Sequence, residues 1–279
     1  MKYLILVLSI ILFVSCSNQK TSGSISNTGQ KPVKIQLIRN ATLKIEFNGK
    51  TLLIDPSLSP KNSFMSFVQP DKNLNPTVDL TIPMDDIIKD ADAVLVTHTH
   101  LDHFDEGAKK HLPKETPLFG QSSDEKVFKE ALFTNVMIID STADFGGITI
   151  HRTGGKHGPD QMLEMLGEVS GFVLEAEGSP TIYIIGDCLL DDEIKSNIEK
   201  FNPDIIVVNS GGAVFGEATI LMDEKKAVEV AKLAPKAKVI AVHMESLDHC
   251  MTTRQMVKDE AIKENVEIII PNDGEMIKL

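Results

Sequence analysis

Apolar and polar positions alternate with a period of two through the opening third of the folded part of the chain. Runs at 33–38, 42–47 and 51–54 read as strands, and Asn48-Gly49 between the last two marks a tight hairpin. Asp55-Pro56 stops the third run and opens a Pro- and Asn-containing segment that continues to Asp90 with weak periodicity. A stretch of that length is more often functional than structural. The apolar run ending at Val96 then predicts a buried strand at 93–97, followed by a helix near 104–111 and a short strand at 117–119. Ser122-Ser-Asp-Glu125 has the spacing of a capping box for a helix ending near Leu132. Further strands are expected at 136–140, 148–152, 169–175 and 181–185. The last third alternates instead. It reads as a helix at 191–201, a strand at 205–208, a helix capped by Asp223 and running through Ala234, and a strand at 238–242. A helix opened by Thr252-Thr-Arg-Gln255 runs to Asn265, and strands at 266–270 and 275–277 close the chain. A β-rich opening followed by βα alternation fits two sheets packed face to face with helices outside, an α/β fold in four layers.

The first residues follow a different pattern. Lys2 precedes the apolar stretch 4–14, which is too short to span a bilayer comfortably, and Phe13-Val-Ser-Cys16 follows. This resembles a bacterial lipoprotein signal, which implies removal of 1–15, lipidation of Cys16 and a location in the cell envelope, anchored to the membrane outside the cytoplasm. An uncleaved anchor and a conventional secretory signal are the alternatives. Residues 17–31 are rich in Ser, Asn, Thr, Gln and Gly, with one isolated Ile25, too little apolar surface to order a segment, so 16–31 reads as a flexible tether. Residues 32–279 suffice for one large α/β domain. The formal net charge of −12 makes nucleic acid an unsuitable partner, because an acidic chain repels a phosphate backbone. Besides Cys16 the chain has Cys188 and Cys250, for which a disulfide and a role supporting the site both stay open.

The chemistry is concentrated in Thr97-His-Thr-His-Leu-Asp-His103, directly after the predicted strand. Four hydrophilic side chains crowded at the end of a buried strand lose hydration with little in return, unless a cation converts that cost into binding. Neutral imidazole and carboxylate oxygen suit zinc and its first-row neighbours. Residues two apart in an extended segment share a face, so His98 and His100 can chelate one ion. If the chain then turns into a helix, Asp102 and His103 reach a second. Three further ligands are expected. His157 lies in the glycine-rich turn Thr153-Gly-Gly-Lys-His-Gly158, Asp187 ends an apolar run after Gly186, and His243 ends the run 239–242. The carboxyl end of a buried strand is where α/β folds place active-site groups, and Asp187 is expected to bridge both ions. His249, six residues beyond His243, is a candidate supporting or substrate-facing group.

With Leu52-Leu-Ile-Asp55-Pro, Thr97-His-x-His-x-Asp-His103, His157, Gly186-Asp187 and His243 in that order, the chain resembles the metallo-β-lactamase fold hydrolases. The resemblance implies an αββα sandwich with the ions between the sheets at one edge. His98, His100 and His157 would then hold one ion, Asp102, His103 and His243 the other, with Asp187 between them and Asp55 organising the site loop. Thr153-Gly-Gly-Lys-His-Gly158, the segment 169–174 and the segment 220–224 look most like the ascorbate-6-phosphate lactonase-like branch. The implied reaction is hydrolysis of a small-molecule lactone or ester by a bridging hydroxide held by two divalent ions, zinc first, manganese or iron otherwise. Asp102 would orient the hydroxide and carry its proton. The alternatives are a phosphodiesterase, including one acting on phospholipids, and a non-hydrolytic metal-binding protein. Residues 56–90, 155–168 and 209–222 are expected to set substrate preference, with Phe64, Met65, Phe67, Met162, Met165 and Met222 as candidate pocket walls.

Overall fold

A computed structural model describes residues 31–279. The expected signal segment, Cys16 and nearly all of the expected tether lie outside the described residues. The first sheet has seven strands in the order Met276–Lys278, Lys34–Arg39, Thr42–Phe47, Lys50–Ile54, Ala93–Leu95, Leu118–Gly120, Val136–Ile138. The second has six, Lys238–Val242, Ile205–Asn209, Ile182–Ile184, Gly171–Glu175, Ile148–Thr153 and Thr142–Phe145. Each sheet combines antiparallel pairs with a run of parallel strands. Lys50–Ile54, Ala93–Leu95, Leu118–Gly120 and Val136–Ile138 run parallel in one sheet. Ile182–Ile184, Ile205–Asn209 and Lys238–Val242 do so in the other.

The near-continuous apolar runs of these parallel strands follow from burial on both faces. Leu52 and Ile54 point into the core between the sheets, while Leu53 joins a cluster under the helices with Ile87, Ala108 and Phe128. Across the sandwich, Ile182 and Ile184 face inward, whereas Tyr183 and Ile185 pack with Ile194, Ala227 and Val257 on the other helical side. The fold is therefore the four-layer αββα sandwich that the element order predicts. At roughly 1.5–3 kcal/mol for each fully buried large aliphatic or aromatic side chain, the alternation on each strand ties two layers together at once.

Several elements differ from expectation. Residues 266–270 form only an isolated bridge, Ile240 to Ile269, beside the edge strand Lys238–Val242. Val266, Ile268 and Ile270 still pack toward the helices and Ile269 inward, so the alternation is real although the ladder is not. The strand Thr142–Phe145 escapes the sequence reading because it is a half-exposed edge strand with little apolar character. The segment 56–90 contains a small hairpin, Phe64–Met65 with Asn73–Asn75, and the helix Met84–Ile88. The capping box at 122–125 does not form. Asp124 instead accepts hydrogen bonds from Thr99 Oγ1 at 2.7 Å and Gln121 Nε2 at 2.9 Å, so residues 122–124 make a 3-10 turn before the helix Glu125–Glu130. Thr253, not Thr252, caps the helix Arg254–Glu264 by accepting from Met256 N, whereas Thr252 Oγ1 donates to Glu224. The Asp223 cap on Glu224–Leu233 is as expected.

Candidate metal centre

The carboxyl ends of the parallel strands of both sheets lead into one set of site residues. Asp55 follows Lys50–Ile54, the histidine motif follows Ala93–Leu95, Asp187 follows Ile182–Ile184, and His243 follows Lys238–Val242. Two groups of donor atoms result, each within 4.8 Å of one another: His98, His100 and His157 in one, and Asp102, His103, Asp187 and His243 in the other. All seven candidates from the sequence are thus brought together, partitioned as the resemblance implies.

The spacing inside each group is close. His98 Nε2 lies 3.0 Å from His100 Nδ1, and His103 Nε2 lies 3.2 Å from His243 Nε2. Asp187 Oδ2 stands 3.2 Å from His103 Nε2, 3.4 Å from His243 Nε2 and 3.9 Å from His157 Nε2, so one carboxylate oxygen reaches both groups. Asp102 Oδ2 is 3.1 Å from His243 Nε2. Imidazole nitrogens that face each other across about 3 Å need a shared proton or a cation between them, and this N/O set is one that zinc, manganese or iron accepts. The residues present fit two divalent cations on chemistry and convergence alike.

Supporting contacts orient the rings. Asp55 Oδ2 is 2.8 Å from His103 Nδ1, and Asp55 itself accepts from Thr97 N and Thr97 Oγ1, both at 2.7 Å. Asp55 therefore organises the loop without joining either donor group. His157 Nδ1 pairs with the Ile220 carbonyl at 2.9 Å, which fixes its tautomer and leaves Nε2 for the site. Two supporting residues were not assigned from the sequence. Asn209 Nδ2 donates to Asp187 Oδ1 at 2.6 Å, and Asn40 holds two loops, donating from Nδ2 to the Asp102 carbonyl and accepting from His243 N. Asn209 ends a parallel strand, so the rule that singled out Asp187 and His243 would have found it. Nothing local marks Asn40.

Several residues of the site have strained backbone. Asn40, Asp55, His243 and Glu245 all have left-handed φ, between 44° and 69°, although none is glycine. Such positions cost of order 1–3 kcal/mol each and persist only where the surroundings over-determine them.

Electrostatics separate the two groups. Burial, and then the neighbouring imidazoles, push His98 and His100 below the usual histidine pKa, keeping them neutral and ready to coordinate. Burial also opposes charge on His103 and His243, but Asp187 and Asp102 outweigh it and raise both imidazoles well above their usual value. For Asp102 and Asp187 burial is likewise outweighed, by His103 and His243, and both carboxyls fall well below the ordinary range. Protons and divalent cations compete for the same atoms.

Beside the donors lies a cavity of about 370 Å³, lined by His100, Asp102, His157 and Asp187 and walled by Phe67, Leu101, Met165, Leu166, Phe215 and Ile220. Among the described residues, no Lys or Arg lines it. Of the wall residues expected from sequence, Phe67 and Met165 belong to it. Phe64 stacks behind Phe67 at 6.1 Å between ring centroids, Met222 is buried in the helix-side core, and Met162 packs with Ile220 and Leu221. Met65 is exposed outside the cavity lining. Both Cys188 and Cys250 are free thiols, so no disulfide joins them. Cys250 Sγ sits 3.7 Å from His243 Nδ1, a contact that supports the site.

The β-lactamase superfamily domain model matches residues 34–243. The chain belongs to this superfamily. Within it, the chain is 36% identical over 250 residues to the UPF0173 protein YddR of Bacillus subtilis, covering 87% of this chain and 98% of that one. A UPF0173 metal-dependent hydrolase of Sulfolobus acidocaldarius is 24% identical over 88% of this chain and 99% of its own. Two solved structures are similar over nearly their whole length. An isothiocyanate hydrolase from Delia radicum gut bacteria is 34% identical, with TM-score 0.83 and coverage of 88% and 98%. A possible metal-dependent hydrolase from Veillonella parvula is 36% identical, with TM-score 0.84 and coverage of 88% and 99%. This superfamily member is a metal-dependent hydrolase of the UPF0173 family.

Proposed function

We propose that the enzyme hydrolyses a small, uncharged, largely apolar substrate at an electrophilic carbon, with two divalent cations held by His98, His100 and His157 and by Asp102, His103 and His243, and with Asp187 shared. The observation that carries this reading is the cavity: the donor groups form its floor, its walls are aromatic and aliphatic, and no cationic side chain is present to meet a phosphate. When bound, the cations would supply Lewis acidity, lowering the pKa of a bound water toward neutrality and offsetting the negative charge that develops on the substrate. The chain's residues do the rest. Asp102 orients the attacking water and takes its proton, Asn209 holds Asp187 in place, and Phe67, Met165 and Phe215 exclude bulk water from the reacting carbon.

Isothiocyanates are the first substrate class, supported by 34% identity to the isothiocyanate hydrolase over almost all of both chains. Water adds to the central carbon of R–N=C=S, and loss of the amine leaves carbonyl sulfide. Carboxylic esters and lactones are the second, since the same floor and walls accommodate a carbonyl carbon. The purified enzyme, loaded in turn with zinc, manganese and iron, is tested against alkyl and aryl isothiocyanates, lactones, esters and phosphodiesters. Turnover of a neutral carbon electrophile is expected; preference for the phosphodiester refutes the reading. Asp187→Ala and His243→Ala are expected to lower bound metal from about two equivalents toward one and to remove most turnover; either variant keeping both metals and full rate contradicts the assignment.

A further inference from the structure

His249 lies outside both donor groups, yet it lines the same cavity as His100, Asp102, His157 and Asp187. Only 7% of the residue's surface is exposed. Nδ1 is enclosed and has no hydrogen-bond partner. Nε2 is not among the enclosed atoms and makes no hydrogen bond among the described residues, and since the residue lines the cavity we take Nε2 as the nitrogen that faces it. Burial, the largest influence, pushes the imidazole below its usual pKa despite the pull of Asp102, so the ring is neutral. A neutral imidazole carries one proton. Burying an N–H with no acceptor is the costlier of the two orphan states, which favours the proton on Nε2 and the bare lone pair on Nδ1.

Elaborate packing holds this ring in place. Phe67 meets it edge to face at 4.6 Å between centroids. Phe67 is in turn fixed by the neighbouring Asp248, whose carboxylate accepts from Phe67 N at 3.2 Å, from Asn75 Nδ2 at 2.9 Å and from Ser66 Oγ. Asp248 N completes the clasp by donating to Asn75 Oδ1 at 3.0 Å. The hairpin Phe64–Met65 with Asn73–Asn75 is thereby bound to the loop that carries His249, across more than 170 residues of sequence. On the opposite flank Val214 N donates to the His249 carbonyl at 3.1 Å, next to Phe215 of the cavity wall. A ring packed on Phe67 and carried on a backbone held by Val214 N, with one nitrogen sealed and the other left for the cavity, is a preorganised donor.

We propose that His249 is a catalytic residue whose Nε2–H donates a hydrogen bond to the substrate heteroatom on which negative charge develops, and that Phe67 and Asp248 are positioning residues for it. The inference rests on the hydrolase reading above and names a group of the chain that acts on the substrate itself. No proton leaves the ring; the bond strengthens as the sulfur, nitrogen or oxygen gains charge and relaxes when the product departs.

The tests separate this claim from the choice of substrate. In the zinc-loaded enzyme, long-range ¹H–¹⁵N NMR, with His249→Phe to assign the signal, is expected to show the Nε2–H tautomer. An Nδ1–H ring overturns the proposal whatever the substrate proves to be. With whichever substrate the panel identifies, His249→Phe keeps the stack on Phe67 and the metal content but is expected to lower kcat about 100-fold, in line with loss of one preorganised donor. His249→Gln places an amide N–H where Nε2 was and restores about tenfold, whereas His249→Asn places its donor at the sealed Nδ1 position and does not. Equal rates for Phe and Gln variants, or loss of metal in the Phe variant, overturn the assignment. Asp248→Asn is expected to lower kcat with little change in bound metal, and a loss confined to thermal stability makes that residue merely structural.

Discussion

At the residue scale, the site depends on side chains that touch no substrate. Asp55 joins the histidine motif to the first sheet through His103 Nδ1 and through both the backbone and the hydroxyl of Thr97. A ligand ring loses both tautomer and orientation when such a partner is removed, typically with a 10–100-fold loss in metal affinity. Asp55→Ala is expected to weaken metal binding by that order in a competition titration with a chelating dye, and an unchanged affinity would contradict its supporting role. Gly155 illustrates a second dependence. A Cβ built there falls on Cys188 Sγ, so the turn that delivers His157 can lie against the strand end only without a side chain. Gly155→Ala is expected to cost about 1–3 kcal/mol by overpacking, read from chemical denaturation. Adding Cys188→Ala should recover part of the loss, and a double variant no better than the single one argues against this contact as the cause.

At the level of elements, what was legible in the sequence depended on how much of each element is buried. Lys50–Ile54, Ile205–Asn209 and Lys238–Val242 are covered on both faces, so their apolar runs are unbroken and predictable. Thr142–Phe145 is an edge strand held by its hairpin partner Ile148–Thr153, and its own residues do not announce it. Caps follow the same logic. Asp191 and Asp223 are free to accept from Ile194 N and Lys226 N, whereas Asp124 is drawn away by Thr99 and Gln121 in a buried network. Asp191→Ala is accordingly expected to destabilise the helix Asp192–Phe201 by about 1 kcal/mol in thermal denaturation and to leave turnover unchanged. A cost near zero would mean that the cap adds nothing to the packing of Ile194 and Ile198.

For the whole molecule, metal and fold are linked. The donors come from the ends of three parallel strands and a turn, in both sheets, so cations bound there cross-link the sandwich at one pole. Binding at 100 times Kd stabilises the native state by about 2.7 kcal/mol. For a domain of this size that is a fall in Tm of roughly 5–10 °C on chelation, recovered when metal is returned. An unchanged Tm in a protein shown to have lost its metal would refute the cross-link. We propose that Cys16 is lipidated and tethers the domain to the membrane. Metabolic labelling with a fatty-acid analogue is expected to mark the wild-type chain and not Cys16→Ser; an unlabelled wild type refutes the anchor.

The sequence by itself determined the donor residues and the layered fold, because both are written in local pattern. Imidazoles two apart at a strand end and carboxylates closing apolar runs are visible without coordinates, and strands buried on both faces spell out their own positions. Only the tertiary structure decided that Asn40 ties two loops of the site together, that Phe67, Met165 and Phe215 wall one cavity while Met222 does not, and that His249 lines that cavity with its Nδ1 enclosed. These depend on contacts between segments distant in the chain or on which face of a loop meets its neighbour, and no short window of sequence carries that information.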